Sequence, residues 1–445
     1  MGTYAACWLD NCLIGATEKG TDPGLIDLFR STQRVVVKER GRELPPCLQH
    51  WMSEFENEES FSIVYYRTSV SIARDRLEIA GYTLETAKKA FAASVQHEIS
   101  ELLEQVSTGL PAEWRENELN KLRGLEVNRW LQELRDRFSY FEPASENTTS
   151  TERMSVAYAG AAGWGGYPGH DPRLALRLLI EAFPDACELI YDLTDLVLQG
   201  YLRVDEEPHA EDGEFPGPVY PISGRTVILT EGKSDSWILH GSMDLLYPHL
   251  ADYFTFMDFE GFRVGGGAGV LANLVKAFAG AGIVNKTIAV FDNDTAACAA
   301  LSSLKSRKLP VNIKIVPLPS YEFLRRYPTL GPTGSTEMDV NGIAGSIELY
   351  LGRDVLTVGD GSLREVQWTG YDHGLRQYQG EVLGKSDIHS AFESKLRRGK
   401  EVPNSIDSQD WEGVRLILSA IFGAFHETDA IEIIAWDAFQ AEYAY

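Results

Sequence analysis

Two short apolar runs in this chain end abruptly in acid. Thr226-Val-Ile-Leu-Thr-Glu-Gly-Lys-Ser-Asp235 leads into Glu231, and Thr287-Ile-Ala-Val-Phe-Asp-Asn-Asp294 leads into Asp292 and Asp294. Runs this short and this rich in β-branched residues read as strands buried on both faces of a parallel sheet. The C-terminal ends of such strands share one edge, where open α/β sheets bind their ligands. Glu231, Asp292 and Asp294 therefore meet on one rim. Unpaired, they repel one another and raise one another's pKa. A divalent cation relieves that repulsion, and hard carboxylate oxygens suit Mg²⁺ or Mn²⁺. A metal held by carboxylates is the equipment of phosphoryl transfer. Asp235 reads as a further metal ligand or as the cap of a helix near Trp237, and Asp258 as site rim or loop acid.

The elements that must position these acids are legible around them. Strands expected at 226–230, 254–257, 288–291 and 313–316 alternate with helices at 237–246, 270–279 and 296–305, a β-α-β-α-β-α-β pattern that implies a parallel sheet. Gly265-Gly-Gly-Ala-Gly269 opens the second helix. Gly267-x-Gly269-x-x-Ala272, with Asp292 beyond it, matches a dinucleotide-binding fingerprint. That alternative leaves Glu231 and Asp294 unexplained. The bland readings of the acids are a helix-start carboxylate for Glu231 and an N-cap for Asp294. Gly380-Glu-Val-Leu-Gly-Lys385-Ser386 falls short of a phosphate-binding loop because Gln379 stands where its first glycine belongs. No nucleotide-driven motor is therefore expected. No His-Glu-x-x-His pair occurs either.

The Glu after one strand and the Asp-x-Asp after another resemble the TOPRIM domain of topoisomerases, bacterial primases and several nuclease families. The resemblance covers roughly residues 224 to 320. Downstream, Asp339-Val-Asn-Gly-Ile-Ala-Gly-Ser-Ile-Glu348 and the stretch ending in Lys385 resemble the C-terminal extensions of defence-associated TOPRIM nucleases of the OLD and Gabija kind. That resemblance implies that Asp339 and Glu348 join the metal set and that Lys385 stabilises the phosphate. Gly2 to Gly15 and Ala73-Arg-Asp-Arg-Leu-Glu-Ile-Ala-Gly-Tyr82 resemble the HEPN/Toprim-associated N-terminal domain, which accompanies nuclease effectors in antiphage systems. The Arg…His motif of HEPN ribonucleases matches only Arg203 and His209, inside an acidic loop, and is rejected.

The implied activity is Mg²⁺- or Mn²⁺-dependent hydrolysis of nucleic-acid phosphodiesters, DNA ahead of RNA, in a gated antiphage effector. Alternatives are a topoisomerase- or primase-type enzyme, or a regulatory or nucleotide-binding α/β module whose acids are structural. The fold class expected is α/β: a central TOPRIM-like parallel sheet flanked by an α+β N-terminal domain and a mixed, largely helical C-terminal region. The segments are 1–150, the N-terminal domain; 151–222, a helical connector with an acidic linker; 223–320, the catalytic domain; and 321–445, an extension completing the site. Helices are expected at 83–104, 113–138, 172–183, 185–198, 347–350 and 411–425. Polar linkers are expected at 142–152 and 205–214.

Composition bounds these readings. The chain has 445 residues, 44% hydrophobic and 24% charged, with a formal net charge of −24. Such a charge excludes a general nucleic-acid coat. Residues 224 to 320, however, hold nine Lys and Arg against eight Asp and Glu, so the excess acid lies in the flanks. An acidic chain without a motor is expected to need a protein partner or a homo-oligomer to gate its activity. Five dispersed cysteines without a Cys-x-x-Cys pair read as reduced thiols. No membrane span or signal peptide is apparent, and a cytoplasmic location is expected.

Overall fold

The structure is a computed structural model and describes residues 2–56, 58, 60–104, 112–139, 164, 166–208, 225–259, 261, 265–304 and 308–443. The expected linker at 142–152, the Gly-rich residues 160–163 and residues 209–214 of the acidic run, His209 among them, lie outside the described residues. The chain forms two compact units, Met1–Phe215 with His426–Tyr445, and Pro216–Phe425.

The first unit is built on an antiparallel sheet of β1 (Tyr4–Leu9), β2 (Cys12–Glu18), β3 (Arg34–Val37), β4 (Ile63–Ser69) and β5 (Glu188–Asp192), in the order β2-β1-β5-β4-β3. Asp10, which tolerates a φ of 48°, turns β1 into β2. Both faces of the sheet are covered. Val64, Tyr66, Leu189 and Tyr191 join the larger core, whereas Ile63, Tyr65 and Ile190 join a second, smaller one. That double burial explains a correction: residues 185–198, read as a helix, contain the strand β5. Leu189-Ile-Tyr191 is a short apolar run without period, and its place between β1 and β4 decides its conformation. The helix expected over 113–138 is two, Ala112–Arg123 and Val127–Ser139, parted at Gly124, where glycine weakens the helix. Leu84–Glu104 matches its expectation. The last helix, His426–Tyr443, belongs to this unit. Its buried Asp437 accepts the backbone N–H groups of His170 and Asp171 at 2.9 and 2.8 Å.

The second unit holds the parallel sheet. β6 (Thr226–Leu229), β7 (Phe254–Phe256), β8 (Thr287–Phe291) and β10 (Ile313–Pro317) lie in the order β10-β8-β6-β7, all parallel. The helices Lys233–Leu246, Ala268–Ala281 and Thr295–Ser302 connect them. From β6 the chain steps to one side, to β7, then crosses back to β8 on the other side. The strand order thus reverses between β6 and β8, and such a switch point opens a crevice at the C-terminal strand ends. Leu229, Leu271, Val275, Ala289, Phe291 and Ile313 form the core beneath it.

After β10 the chain is less helical than expected. β11 (Tyr327–Gly331), β12 (Gly334–Met338), β14 (Val366–Asp372) and β15 (Gln377–Val382) form a sheet in the order β12-β11-β14-β15. β13 (Ala344–Gly345) pairs with β9 (Asn293–Asp294). Glycine, threonine and glutamine in these strands masked their alternation. The helices Lys385–Glu401 and Glu412–Phe422 and a 3₁₀ turn at Ile347–Tyr350 complete the unit. All five cysteines are free thiols. No helix among the described residues is long and apolar enough to cross a membrane.

The 3₁₀ turn that carries Glu348 is held against Gly413, where an added Cβ would stand 2.8 Å from the Tyr350 Cα. Alanine in a helix ordinarily stabilises by up to about 1 kcal/mol over glycine. Here the clash is with backbone, which cannot swing away, and the sign should reverse. Gly413→Ala is expected to destabilise by about 1–3 kcal/mol in denaturant unfolding followed by tryptophan fluorescence. A gain in stability would show that the turn is not seated on this helix.

Candidate active site

Glu231 stands in the turn after β6, and Asp292 directly follows β8. The two strand ends are tied together, because the Asp292 N–H donates to Glu231 Oε1 at 2.9 Å. The glycine turn closes over the same loop. Gly267, at a φ of 105°, donates its N–H to the Glu231 carbonyl at 2.6 Å, and a Cβ on Gly266 would stand 2.9 Å from that carbonyl oxygen. Close approach of two backbones is therefore what those glycines permit here.

The remaining acids are held by backbone donors. Asp292 Oδ1 accepts from the Ile347 N–H at 3.1 Å, which brings the 3₁₀ turn of Glu348 to the sheet edge. Asp294 caps the helix Thr295–Ser302, its Oδ1 accepting from the Ala297 N–H at 2.7 Å. Asp235 sits in the first turn of the helix Lys233–Leu246, and its Oδ2 accepts from the Gly232 N–H at 2.8 Å. The capping readings of Asp294 and Asp235 thus coexist with membership of the cluster.

The electrostatics divide these acids. Burial, followed by Asp294 and Asp235, pushes Glu231 up to about 7. Burial and Glu348 push Asp235 up to about 6. Asp292 is held well above its ordinary value by burial and by Asp235, Glu231, Asp294 and Glu348 together. Asp294 is raised by burial, against an opposing pull from Lys385. Glu348 is the exception. Burial would raise it, but the His389 ring at 3.1 Å and the Lys385 ammonium at 3.7 Å override burial and hold it at about 2. Among the described residues, no three His, Cys, Asp or Glu side chains close around a common point as a metal's ligands do.

Lys385 opens its helix directly after Gly384, whose φ of 74° turns the chain out of β15. The same helix carries His389 one turn on and the buried Lys395 further along. Lys395 Nζ donates to the Leu351 carbonyl at 2.8 Å, pairs with Asp354 at 2.8 Å and lies 4.3 Å from the centre of the Trp411 ring. It clamps the helix that bears Lys385 to the segment just past Glu348. The structure thus gathers Glu231, Asp235, Asp292, Asp294, Glu348 and Lys385. Asp339 is not gathered: its exposed carboxylate accepts from the N–H and side-chain amide of Asn341, at 3.0 and 2.8 Å, and so serves its own turn. Asp258 likewise closes its own turn, accepting from the Gly261 N–H at 2.8 Å. His389 was missed by sequence reasoning. Its spacing of one helical turn from Lys385, on the same face, was the available signal.

Residues 1–214 match the family model described as HEPN/Toprim N-terminal domain 1. The match ends one residue before the continuous stretch of the first compact unit does. No curated protein and no solved structure matches the chain. A HEPN/Toprim-associated domain thus occupies the N-terminal part, and the carboxylate cluster lies in the other unit.

The raised acids fix the sign of a pH effect. A folded-state pKa above the unfolded one contributes stability that is full below the unfolded value and lost as pH rises through the folded value. For Glu231 and Asp235 that window runs from about pH 4 to about pH 7. Glu348 contributes in the opposite sense and only in acid, where its share is lost as pH falls toward about 2. In chelator, the protein should therefore lose about 4 kcal/mol of stability between pH 5 and pH 8 from Glu231 and Asp235. Asp294→Asn removes a charge that raises Glu231 and should reduce that loss by about 1 kcal/mol. Parallel pH–stability curves for the two proteins would mean that the acids do not act on one another.

Proposed function

We propose that the unit Pro216–Phe425 is a TOPRIM-type catalytic domain that hydrolyses nucleic-acid phosphodiester bonds with Mg²⁺ or Mn²⁺. The observation that carries this reading is the set of mutually raised carboxylates at the switch point between β6 and β8, with Lys385 beside it. The HEPN/Toprim match of residues 1–214 points in the same direction, toward a nuclease-like or Toprim-related activity. Glu231, Asp235, Asp292, Asp294 and Glu348 offer only hard oxygen donors, which fits a divalent cation chemically. The side chains must draw inward to complete a shell. A cation bound there would lower the pKa of an attacking water and offset charge on the leaving oxygen. The chain's own residues supply the rest. Backbone donors to Asp292, Asp294 and Asp235 fix the carboxylates in place. Lys385 Nζ would offset the charge that grows on the phosphate, and His389 and Lys385 keep Glu348 ionised.

Asp339 is proposed as part of its own turn and not as a ligand. The net charge of −24 argues for DNA delivered with help, from a protein partner or a second copy, in keeping with a gated effector of antiphage defence.

Cleavage of plasmid and of RNA in Mg²⁺ or Mn²⁺ tests the activity. Wild type should cleave at least one of them, and Glu231→Gln should abolish cleavage without unfolding the protein. Absence of metal-dependent cleavage under every activating condition tried would overturn the reading. Lys385→Ala should keep Mn²⁺ affinity, because an ammonium is no ligand, yet lose about 10²- to 10³-fold in turnover. Wild-type turnover in that variant would make Lys385 a bystander and leave the carboxylate assignment standing.

A further inference from the structure

The β14–β15 hairpin presents three aromatic rings on one face. Tyr371 and Tyr378 pair directly across the strands, with ring centres 5.2 Å apart, and Trp368 lies 5.8 Å from Tyr378 on its other side. The irregularity between Trp368 and Gly370 shifts the register so that Tyr371 joins that face. Trp368 covers Gly380, where a Cβ would stand 2.9 Å from its ring. Tyr371 is 44% exposed and Tyr378 54%, unusual for cross-strand neighbours of this size. Burial of a core does not explain them.

The face is also free of acid. Strand alternation sends Asp372 and Glu381 of the same hairpin to the opposite side, with Gln367, Gln377 and Gln379. In a chain of net charge −24, an acid-free aromatic face is a place a polyanion can approach. The hairpin adjoins the elements that carry the candidate site. The Tyr378 carbonyl accepts from Thr295 Oγ1 at 2.7 Å, next in sequence to Asp294, and β15 runs through Gly384 into Lys385.

We infer that Trp368, Tyr371 and Tyr378 form a stacking platform for the unpaired bases of a single-stranded nucleic acid, set beside the carboxylate site. This deepens the nuclease reading and rests on it for the occupant. Aromatic platforms bind single strands because every base has a π-face that stacks, whereas a duplex keeps its bases stacked on one another. The platform also answers the charge problem. Affinity from stacking needs few phosphate contacts, so binding here falls only shallowly with salt.

The test uses the full chain in chelator, so that nothing is cleaved, and a short fluorescein-labelled mixed-sequence single-stranded DNA read by anisotropy. Wild type should bind it in preference to the duplex of the same sequence. The double variant Tyr371→Ala/Tyr378→Ala should weaken single-strand binding by about tenfold or more. Tyr371→Phe/Tyr378→Phe, which keeps both rings, should bind within about twofold of wild type. Preference for duplex, or equal single-strand binding by the alanine variant and wild type, would overturn the platform. So would loss of binding in the phenylalanine variant, which would assign it to the hydroxyls. The two readings fail separately. Ring-dependent binding without metal-dependent cleavage leaves the platform and removes the nuclease. Cleavage with ring-independent binding does the reverse.

Discussion

The Asp292 N–H reaches Glu231 Oε1 across two neighbouring parallel strands, and most of the second unit is arranged around the crowding this produces. The bond fixes the ends of β6 and β8 at the point where strand order reverses. It also holds Glu231 beside Asp292, and the protein then adds Asp235, Asp294 and Glu348. Carboxylates confined in this way are unfavourable when ionised, and nothing in local folding requires them to be together. The surrounding architecture holds them: a glycine turn packed on the Glu231 backbone, a 3₁₀ turn donating to Asp292, and a helix anchored by buried Lys395. Sites that work on charged substrates commonly carry strain of this kind.

Glu348 shows how finely charge is divided within the cluster. Its neighbours His389 and Lys385 lie one turn apart on a single helix, and the positive charge that this element brings acts most strongly on Glu348 and more weakly on Asp235 and Asp294. Glu231, Asp235 and Asp292 keep their mutual repulsion. A cation entering among them would find ligands already gathered but still partly protonated.

The part of this arrangement legible in the sequence was the part governed by local pattern. The apolar runs before Glu231 and Asp292 read as strands, and their alternation with helices implied the parallel sheet that is found. Asp235 and Asp294 were legible both as caps and as site acids, because a helix N-terminus beside a strand end is both places at once. What depended on tertiary context was not legible. β5 looked helical because Leu189-Ile-Tyr191 has no period of its own. β11 to β15 were not read as strands because glycine, threonine and glutamine hide their alternation. Asp339 resembled a ligand by its place in the sequence, yet the bonds it makes are to Asn341. His389 went unnoticed because its meaning depends on Glu348, which the fold brings to it from another segment.

The most direct measurement is calorimetric titration of Mn²⁺ into the full chain at pH 6, repeated in two buffers of different ionisation enthalpy. Carboxylates raised to about 6 and about 7 hold protons at that pH, and a cation must displace them. The account predicts saturable binding whose enthalpy changes with the buffer, reporting proton release, and a release that is smaller at pH 8.5, where Glu231 and Asp235 are already ionised. Absence of binding, or binding at pH 6 without proton release, would contradict the claim that these acids form a metal site.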